Sequence, residues 1–327
     1  MHARYEFDLL CIGSGPAGQR AAVQAAKLGK RVAIVEQRPI PGGICVERGT
    51  LPSKTFREAV LSFGLGSRHV ERFGGNGPQG RPAVEQLLAR IEDVMQREVG
   101  VVRDQLRRND IVFIQGQASF FDPHAVMVRN GGEARTVSAD NILIAVGTVP
   151  ARPDVVSEDG GIILTSDKRT RLLEFLDSEI VDELMHQMRN RNVTFRLGEA
   201  VERVELTADQ PPRAALLLES GKRIVSDSVL YSIGRIGATE PLNLAAAGLT
   251  ADKRGRLKVD EKFRTEVPHI FAAGDVIGYP SLASTSASQG RWPVMHSAST
   301  RIRYPITSPS ASIPFLKSRW SARRNMN

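Results

Sequence analysis

The opening segment decides most of what this chain can become. Phe7 to Glu36 reads FDLLCIGSGPAGQRAAVQAAKLGKRVAIVE. A short apolar run enters Gly13-Ser14-Gly15-Pro16-Ala17-Gly18, a small-residue stretch follows, and a second apolar run ends in Glu36. This is G-x-G-x-x-G with a strand before it, a helix after it and an acid closing the next strand. Each residue type has a physical task. Gly13 permits a tight turn, Gly15 lets a pyrophosphate approach the backbone at a helix N-terminus, and Gly18 lets that helix lie close on the strand. Glu36 stands 18 residues after Gly18, where a carboxylate can accept from both hydroxyls of an adenosine ribose. A carboxylate there disfavours a 2′-phosphate, so the expected ligand is FAD or NAD rather than NADP. A bare Gly-rich βα turn is the bland reading, and strand, helix and acid in register argue against it.

The chain has 327 residues, which implies about two domains. Apolar residues make up 41% and charged residues 24%, an ordinary globular balance. No run of apolar residues is long enough for a membrane span, and the N-terminus lacks the apolar core of a signal peptide. Two cysteines, Cys11 and Cys45, do not make a secreted disulfide framework, so a cytoplasmic protein is expected. No histidine pairs with Cys, Asp or Glu at ligand spacing, so no metal is expected. The net charge of +8 invites a nucleic-acid partner, but its distribution argues otherwise. Residues 291–327 hold seven Lys or Arg and no acid, which leaves +1 for residues 1–290.

Along the chain, residues 37–50 read as loop, a helix starts near Pro52-Ser53 and runs through Lys54–Leu61, and the Gly-rich residues 64–81 read as loop. From Pro82 to about Arg108, Val84, Leu87, Leu88, Ile91, Val94, Met95, Val99, Val102 and Leu106 recur at three and four, which predicts a long amphipathic helix. Residues 111–148 are strand-rich, with a hairpin signal at Asn130-Gly131-Gly132. Residues 151–170 read as loop and Leu172–Arg191 as helix. Strands are expected at Val193–Leu197, Val201–Leu206, Ala214–Leu218, Val229–Ser232 and near Leu257–Val259. HIFAAGDVIG at 269–278 reads as a strand entering a Gly-Asp turn, then a helix. From Arg291 no period survives, and the Ser-, Pro- and Arg-rich tail is expected to be disordered.

Residues 42–54, GGICVERGTLPSK, carry a more specific pattern. They resemble the flavoprotein disulfide reductase superfamily, whose members show G-G-x-C-x-x-x-G-C-x-P-S-K with a redox disulfide beside the flavin. Cys45 matches the first cysteine and Thr50 stands at the second, so dithiol–disulfide exchange by this pair is ruled out. Within the superfamily, GTLPSKTFREAVL looks like the soluble, Si-specific pyridine nucleotide transhydrogenases. The resemblance extends over most of residues 5–290, including TSD at 165–167, RLLEFLDSEI at 171–180, SIGRIGAT at 232–239 and HIFAAGDVIGYPSLASTSASQGR at 269–291.

The resemblance implies an α/β, Rossmann-like FAD/NAD(P)-binding fold, a βαβ sheet plus a β-meander, with FAD as cofactor and NAD(P)H as substrate. Hydride would pass from NADPH to FAD and on to NAD+. Gly13, Gly15 and Gly18 would hold the FAD pyrophosphate and Glu36 the adenosine ribose. The segment Glu36–Cys45, with Gly42 and Gly43, would line the FAD. Lys54 would lie beside the isoalloxazine, and Ala118 would touch the adenine through its backbone. Gly274 and Asp275 form the Ala-Gly-Asp turn, where Asp275 would accept from a ribityl hydroxyl. Taken alone, Cys45 is a small apolar residue, Lys54 a solvated lysine, Asp275 a helix N-cap and His269 a structural histidine.

Two departures stand out. Relatives carry a second G-x-G-x-x-G unit, for the nicotinamide nucleotide, between the TSD and RLLEFLD-like segments. Here Asp167 runs almost directly into Arg171, and a βαβ unit needs about 30 residues. The expected organisation is a discontinuous FAD domain at 1–150 and 250–290, and an incomplete second nucleotide-binding domain at 151–249 with an exposed sheet edge. Residues 291–327 form the tail, whose sudden loss of acids and period fits out-of-frame translation, codons permitting. A basic nucleic-acid tail is the rival, disfavoured by its few aromatics. The resemblance implies a homo-oligomeric family, and its C-terminal dimerisation domain is expected to be missing from this chain. The alternatives to a transhydrogenase are a catalytically impaired FAD-binding remnant and another reductase of the superfamily.

Overall fold

Phe7–Ile12 (β1) and Val32–Glu36 (β2) pair in parallel, with Leu10 opposite Ala33, and Pro16–Lys27 (α1) makes the crossover between them. The chain is seen in a computed structural model that describes residues 5–73, 84–151, 171–174, 176–229 and 234–297. After β2 come a short helix, Gly43–Glu47 (α2), and two long ones, Thr50–Phe73 (α3) and Val84–Arg108 (α4). Val112–Gln115 (β3) then joins β2 in parallel. Gln117–Asp122 (β4), Ala125–Asn130 (β5) and Glu133–Ile144 (β6) follow as an antiparallel meander.

β6 belongs to two sheets at once. Its first half pairs antiparallel with β5, and its second half lies parallel to β1, with Ile142 opposite Leu10. Far along the chain, Ile270–Ala272 (β12) adds to the other side of β6, with Ile270 opposite Ile142. The parallel order is therefore β3-β2-β1-β6-β12, and the meander grows from the same long strand. Strand alternation sorts the side chains. Leu9, Cys11 and Ile34 face the alanines of α1, Val102 and Leu106 of α4, and Val294 of a last helix, Ala283–Ser297 (α6). Leu10, Ile12, Ala33 and Val35 face Phe120, Val126 and Val137 of the meander.

The chain divides into two units, residues 1–149 with 236–327, and residues 150–235. Short strands Thr148–Pro150 (β7) and Arg235–Gly237 (β11) pair with each other at the crossings. The second unit holds one helix, Ser178–Arg189 (α5), and an antiparallel sheet of Val201–Leu206 (β8), Ala214–Leu218 (β9) and Arg223–Ser226 (β10), ordered β10-β9-β8. Residues 236–249, expected with the incomplete domain, lie in the first unit because Leu242, Ala247 and Leu249 are buried in its core.

Several expectations need correction. Residues 43–47 are helical rather than loop, closed where the Gly49 amide donates to the Ile44 carbonyl at 2.7 Å. α3 starts at Thr50 and runs through residues 64–73, so the cost of Gly64 and Gly66, roughly 1 kcal/mol each, does not stop it. The remainder of that Gly-rich stretch lies outside the described residues. α5 starts at Ser178 rather than Leu172, because the Asp177 carboxylate accepts from the Glu179 amide at 2.9 Å and caps it. Val193–Leu197 forms no strand; only Leu197 falls in a bridge. Leu257 makes a single bridge to Ala251 instead of a strand. β10 was not expected, since Arg-Ile-Val-Ser is too short a run to signal itself. α6 passes Arg291 and ends at Ser297, with Pro293 inside it. The 152–170 segment, Leu230–Ser232 and the tail from 298 onward lie outside the described residues.

Candidate functional site

The sequence-marked residues gather at the carboxyl ends of the parallel strands, where α/β sheets place their ligands. β1 delivers Gly13, whose amide donates to the Val35 carbonyl of β2 at 2.8 Å. Gly13 has φ +105°, and a Cβ on it would strike the Ala145 carbonyl. A Cβ on Gly18 would land on the Gly13 carbonyl. These two glycines let helix and strand meet backbone to backbone. Gly15 differs: its φ is −66°, and a Cβ there would meet nothing within 4 Å. The space over Gly15 is open, no side chain caps α1, and no acid stands in its first turn. A phosphate group fits such a helix start.

Glu36 ends β2 and is buried to 9% exposure. Its Oε2 accepts from the Ser14 amide at 2.9 Å and the Ser14 hydroxyl at 2.6 Å; its Oε1 accepts from the Arg38 amide at 3.1 Å. A carboxylate offers about four lone-pair sites, so one remains on Oε1 for a ligand donor. The Ser14 hydroxyl also accepts from the Gly42 amide at 3.1 Å, and its carbonyl accepts from Gln19 Nε2 at 2.7 Å. Sequence reading passed over Ser14, because an unspecified motif position carries no signal of its own. Arg38 was passed over as well. Its guanidinium forms an ion pair with Glu47 at the end of α2, and its pKa is lowered, first by burial and then by the nearby Arg48. Arg103 of α4 donates to the Pro39 carbonyl at 3.4 Å. The loop after Glu36 is thus tied to α2 and to α4.

Gly42 (φ +128°) and Gly43 (φ +62°) turn the chain into α2. A Cβ on Gly43 would lie 2.8 Å from the Gly15 Cα, so this turn sits on the glycine loop. Cys45 follows inside α2, half-buried and free. Cys11 is fully buried in β1, and desolvation pushes its thiol pKa up. Lys54 is exposed in the first turns of α3 and makes no ion pair among the described residues. Ala118 is buried in β4 opposite Val128. It stands two residues after Gly116, whose amide donates to the Glu36 carbonyl at 2.8 Å.

The Gly274-Asp275 turn arrives from β12. A Cβ on Gly274 would lie 3.4 Å from the Ala17 Cβ in the first turn of α1. The Gly274 amide donates to Gln289 Oε1 of α6 at 2.9 Å. Asp275 begins a single 3-10 turn, Asp275–Ile277, rather than the expected helix; the α-helix starts at Ala283. His269 lies at the other end of β12, its Nε2 2.9 Å from the Pro123 carbonyl and its ring stacked on His124 at 3.7 Å. The structure therefore brings together Gly13, Gly15, Gly18, Glu36, Gly42, Gly43, Ala118, Gly274 and Asp275. Among the described residues no helix is long and apolar enough to cross a membrane, and no group of three or more His, Cys, Asp or Glu could hold a metal ion.

Comparison with known proteins places this geometry. The family described as pyridine nucleotide-disulphide oxidoreductase matches residues 7–170 and 163–290. A soluble pyridine nucleotide transhydrogenase of Mycobacterium bovis is 41% identical over 333 residues, covering 89% of this chain and 70% of that protein. One from Colwellia psychrerythraea is 37% identical over 336 residues, with the same coverage. The first alignment is longer than the part of the chain it engages, so about forty positions of that relative have no counterpart here, enough for one βαβ unit. Among solved structures, the HOCl-induced flavoprotein disulfide reductase RclA from Escherichia coli, in its Cu(II) complex, superposes with a TM-score of 0.78. It is 22% identical and the match covers 91% of this chain and 72% of that one, a likeness of fold.

Proposed function

This chain belongs to the pyridine nucleotide-disulphide oxidoreductase family, and from that premise we propose that it is an FAD-dependent oxidoreductase of the soluble transhydrogenase type. Its reaction carries hydride from NADPH to NAD+, with FAD supplying the two-electron acceptor between them. The observation that carries this reading is the convergence of the glycine loop, Glu36 and the Gly274-Asp275 turn at one end of the sheet. The residues fit FAD. Gly15 leaves room for the pyrophosphate, α1 offers its uncapped N-terminus, and Glu36 keeps one acceptor site for the adenosine ribose. The Ala118 backbone is available to the adenine, and Asp275 to a ribityl hydroxyl. Lys54, exposed in the first turns of α3, would supply a cation to the isoalloxazine and so favour a negatively charged flavin. Thr50 in place of a second cysteine argues against a disulfide reductase.

A second reading, an FAD-binding remnant with impaired hydride transfer, is favoured by a specific observation. Asp167 is followed almost at once by the RLLEFLD segment, and the shortfall of about forty positions is large enough for a nucleotide-binding βαβ unit. One experiment separates the two. The purified chain should be yellow, with flavin released on denaturation. NADPH added anaerobically bleaches an active enzyme within seconds, and NAD+ restores the colour. Yellow protein that does not bleach supports the remnant. Colourless protein that takes up no added FAD rejects both.

A further inference from the structure

The Ser14 hydroxyl occupies a place that the motif does not explain. It is fully buried, donates to Glu36 Oε2 at 2.6 Å and accepts from the Gly42 amide at 3.1 Å. One oxygen thus joins the carboxylate at the adenosine end of the site to the first residue of the turn that leads into α2 and Cys45. Beyond the Arg38–Glu47 ion pair and the Arg103 bond to the Pro39 carbonyl on either side of it, that turn cannot be held through side chains of its own. Gly42 and Gly43 both stand at positive φ and have no side chains to anchor. Donation to an anion also polarises the hydroxyl, which makes its oxygen a better acceptor for the Gly42 N–H.

We propose that Ser14 is a positioning residue that couples occupancy of the adenosine end of the site to the order of the Gly42–Cys45 turn. A ribose hydroxyl that donates to the free site on Glu36 fixes the carboxylate. The fixed carboxylate holds the Ser14 hydroxyl in one rotamer, and that rotamer holds the Gly42 amide. The adenosine half of the ligand then shapes the segment at the flavin end before the flavin ring arrives. This inference rests on the FAD-site reading above, and its test uses a probe that lacks the flavin half.

The chain contains its own reporter. Of its two cysteines, Cys11 is fully buried and its thiol pKa is raised by burial, whereas Cys45 is half-buried in the first turn of α2, which Gly42 and Gly43 open. Labelling by an aromatic disulfide reagent therefore reads Cys45. ADP is the probe, with binding followed by calorimetry and labelling rates followed with and without saturating ADP. In the wild-type chain ADP should slow labelling by about fivefold or more, a coupling of ordinary size. In Ser14→Ala, brought to ADP saturation, labelling should proceed as fast as without ADP. Ser14→Thr, which keeps the hydroxyl, should retain the protection. Protection that persists in Ser14→Ala assigns it to direct shielding by ADP and overturns the proposal. Loss of protection in Ser14→Thr assigns it to packing and overturns the proposal too. The wild-type measurement also stands alone if a variant does not fold: ADP that binds without slowing Cys45 removes the coupling. ADP that does not bind removes the nucleotide-site reading and the coupling with it.

Discussion

Gly15 and Gly18 share one loop but answer to different constraints. A methyl on Gly18 would lie far inside contact distance of the Gly13 carbonyl oxygen, whereas a methyl on Gly15 would point into open space. Gly18→Ala should therefore destabilise the ligand-free protein, by about 1–3 kcal/mol as overpacking does. Gly15→Ala sits at an N-cap with an unstrained φ, so its cost to the fold stays within about 1 kcal/mol. FAD binding by Gly15→Ala should still fall by at least about tenfold, because the methyl stands where a phosphate oxygen must approach. Thermal melts of the two variants without ligand, followed by FAD titration, check both halves. Equal losses of Tm would show that the two glycines do the same work. The glycines and Glu36 were legible in the sequence because their tasks follow from backbone geometry at fixed spacing. Ser14 and Arg38 were not, since a hydroxyl or a guanidinium gains its role only from the groups folded around it.

Among the elements, long periodic segments announced themselves and short ones did not. α1, β1 and β2 followed their apolar pattern because their apolar side chains fill the core clusters on the two faces of the sheet, whereas α4 joins that core only through Val102 and Leu106 and leaves Val84 and Leu88 exposed. α2 is five residues held by its neighbours, and β10 is four residues recruited by β9. α6 shows how tertiary contact overrides local preference. Pro293 should end a helix, yet the helix passes through it. Val294 is buried in the cluster that holds the alanines of α1, and the Trp292 ring meets Phe263 edge-on at 6.3 Å. Burial of this kind offsets the local cost of proline. The crossing of α6 over α1 depends on Gly290, where any Cβ would overlap the Ala17 carbonyl. Gly290→Val should lower stability to urea by more than about 2 kcal/mol. It should also weaken FAD binding, because the displaced helix carries Gln289 away from the Gly274 amide. A variant that loses stability but binds FAD as tightly as the wild type would disconnect α6 from the site.

At the scale of the whole molecule the two units differ in what holds them. The first has core clusters on both faces of its parallel sheet, including Leu10, Ile34, Ile142, Leu143, Ile144 and Ile270, all almost fully buried. Among the described residues of the second, the buried cluster is Ala214, Leu216 and Val229, with Val201, Val204 and Ile224 partly buried around it. Hydrophobic stabilisation scales with the apolar area removed from water, and a sheet with so small a core opens at low free energy. Amide hydrogen exchange should therefore be ordered by unit. β8, β9 and β10 should exchange first, and β1, β6 and β12 last. FAD raises the free energy of opening only where it binds, by about 2.7 kcal/mol at a hundred times its dissociation constant. Added FAD should slow exchange in β1, β2 and the first turn of α1 by about a hundredfold, since every 1.4 kcal/mol is a factor of ten. Exchange read peptide by peptide, with and without FAD, checks the order and the site together. If β8–β10 proved as slow as β1, a cooperative core would have to extend through the second unit, and the small cluster around Leu216 could not be what sets its stability.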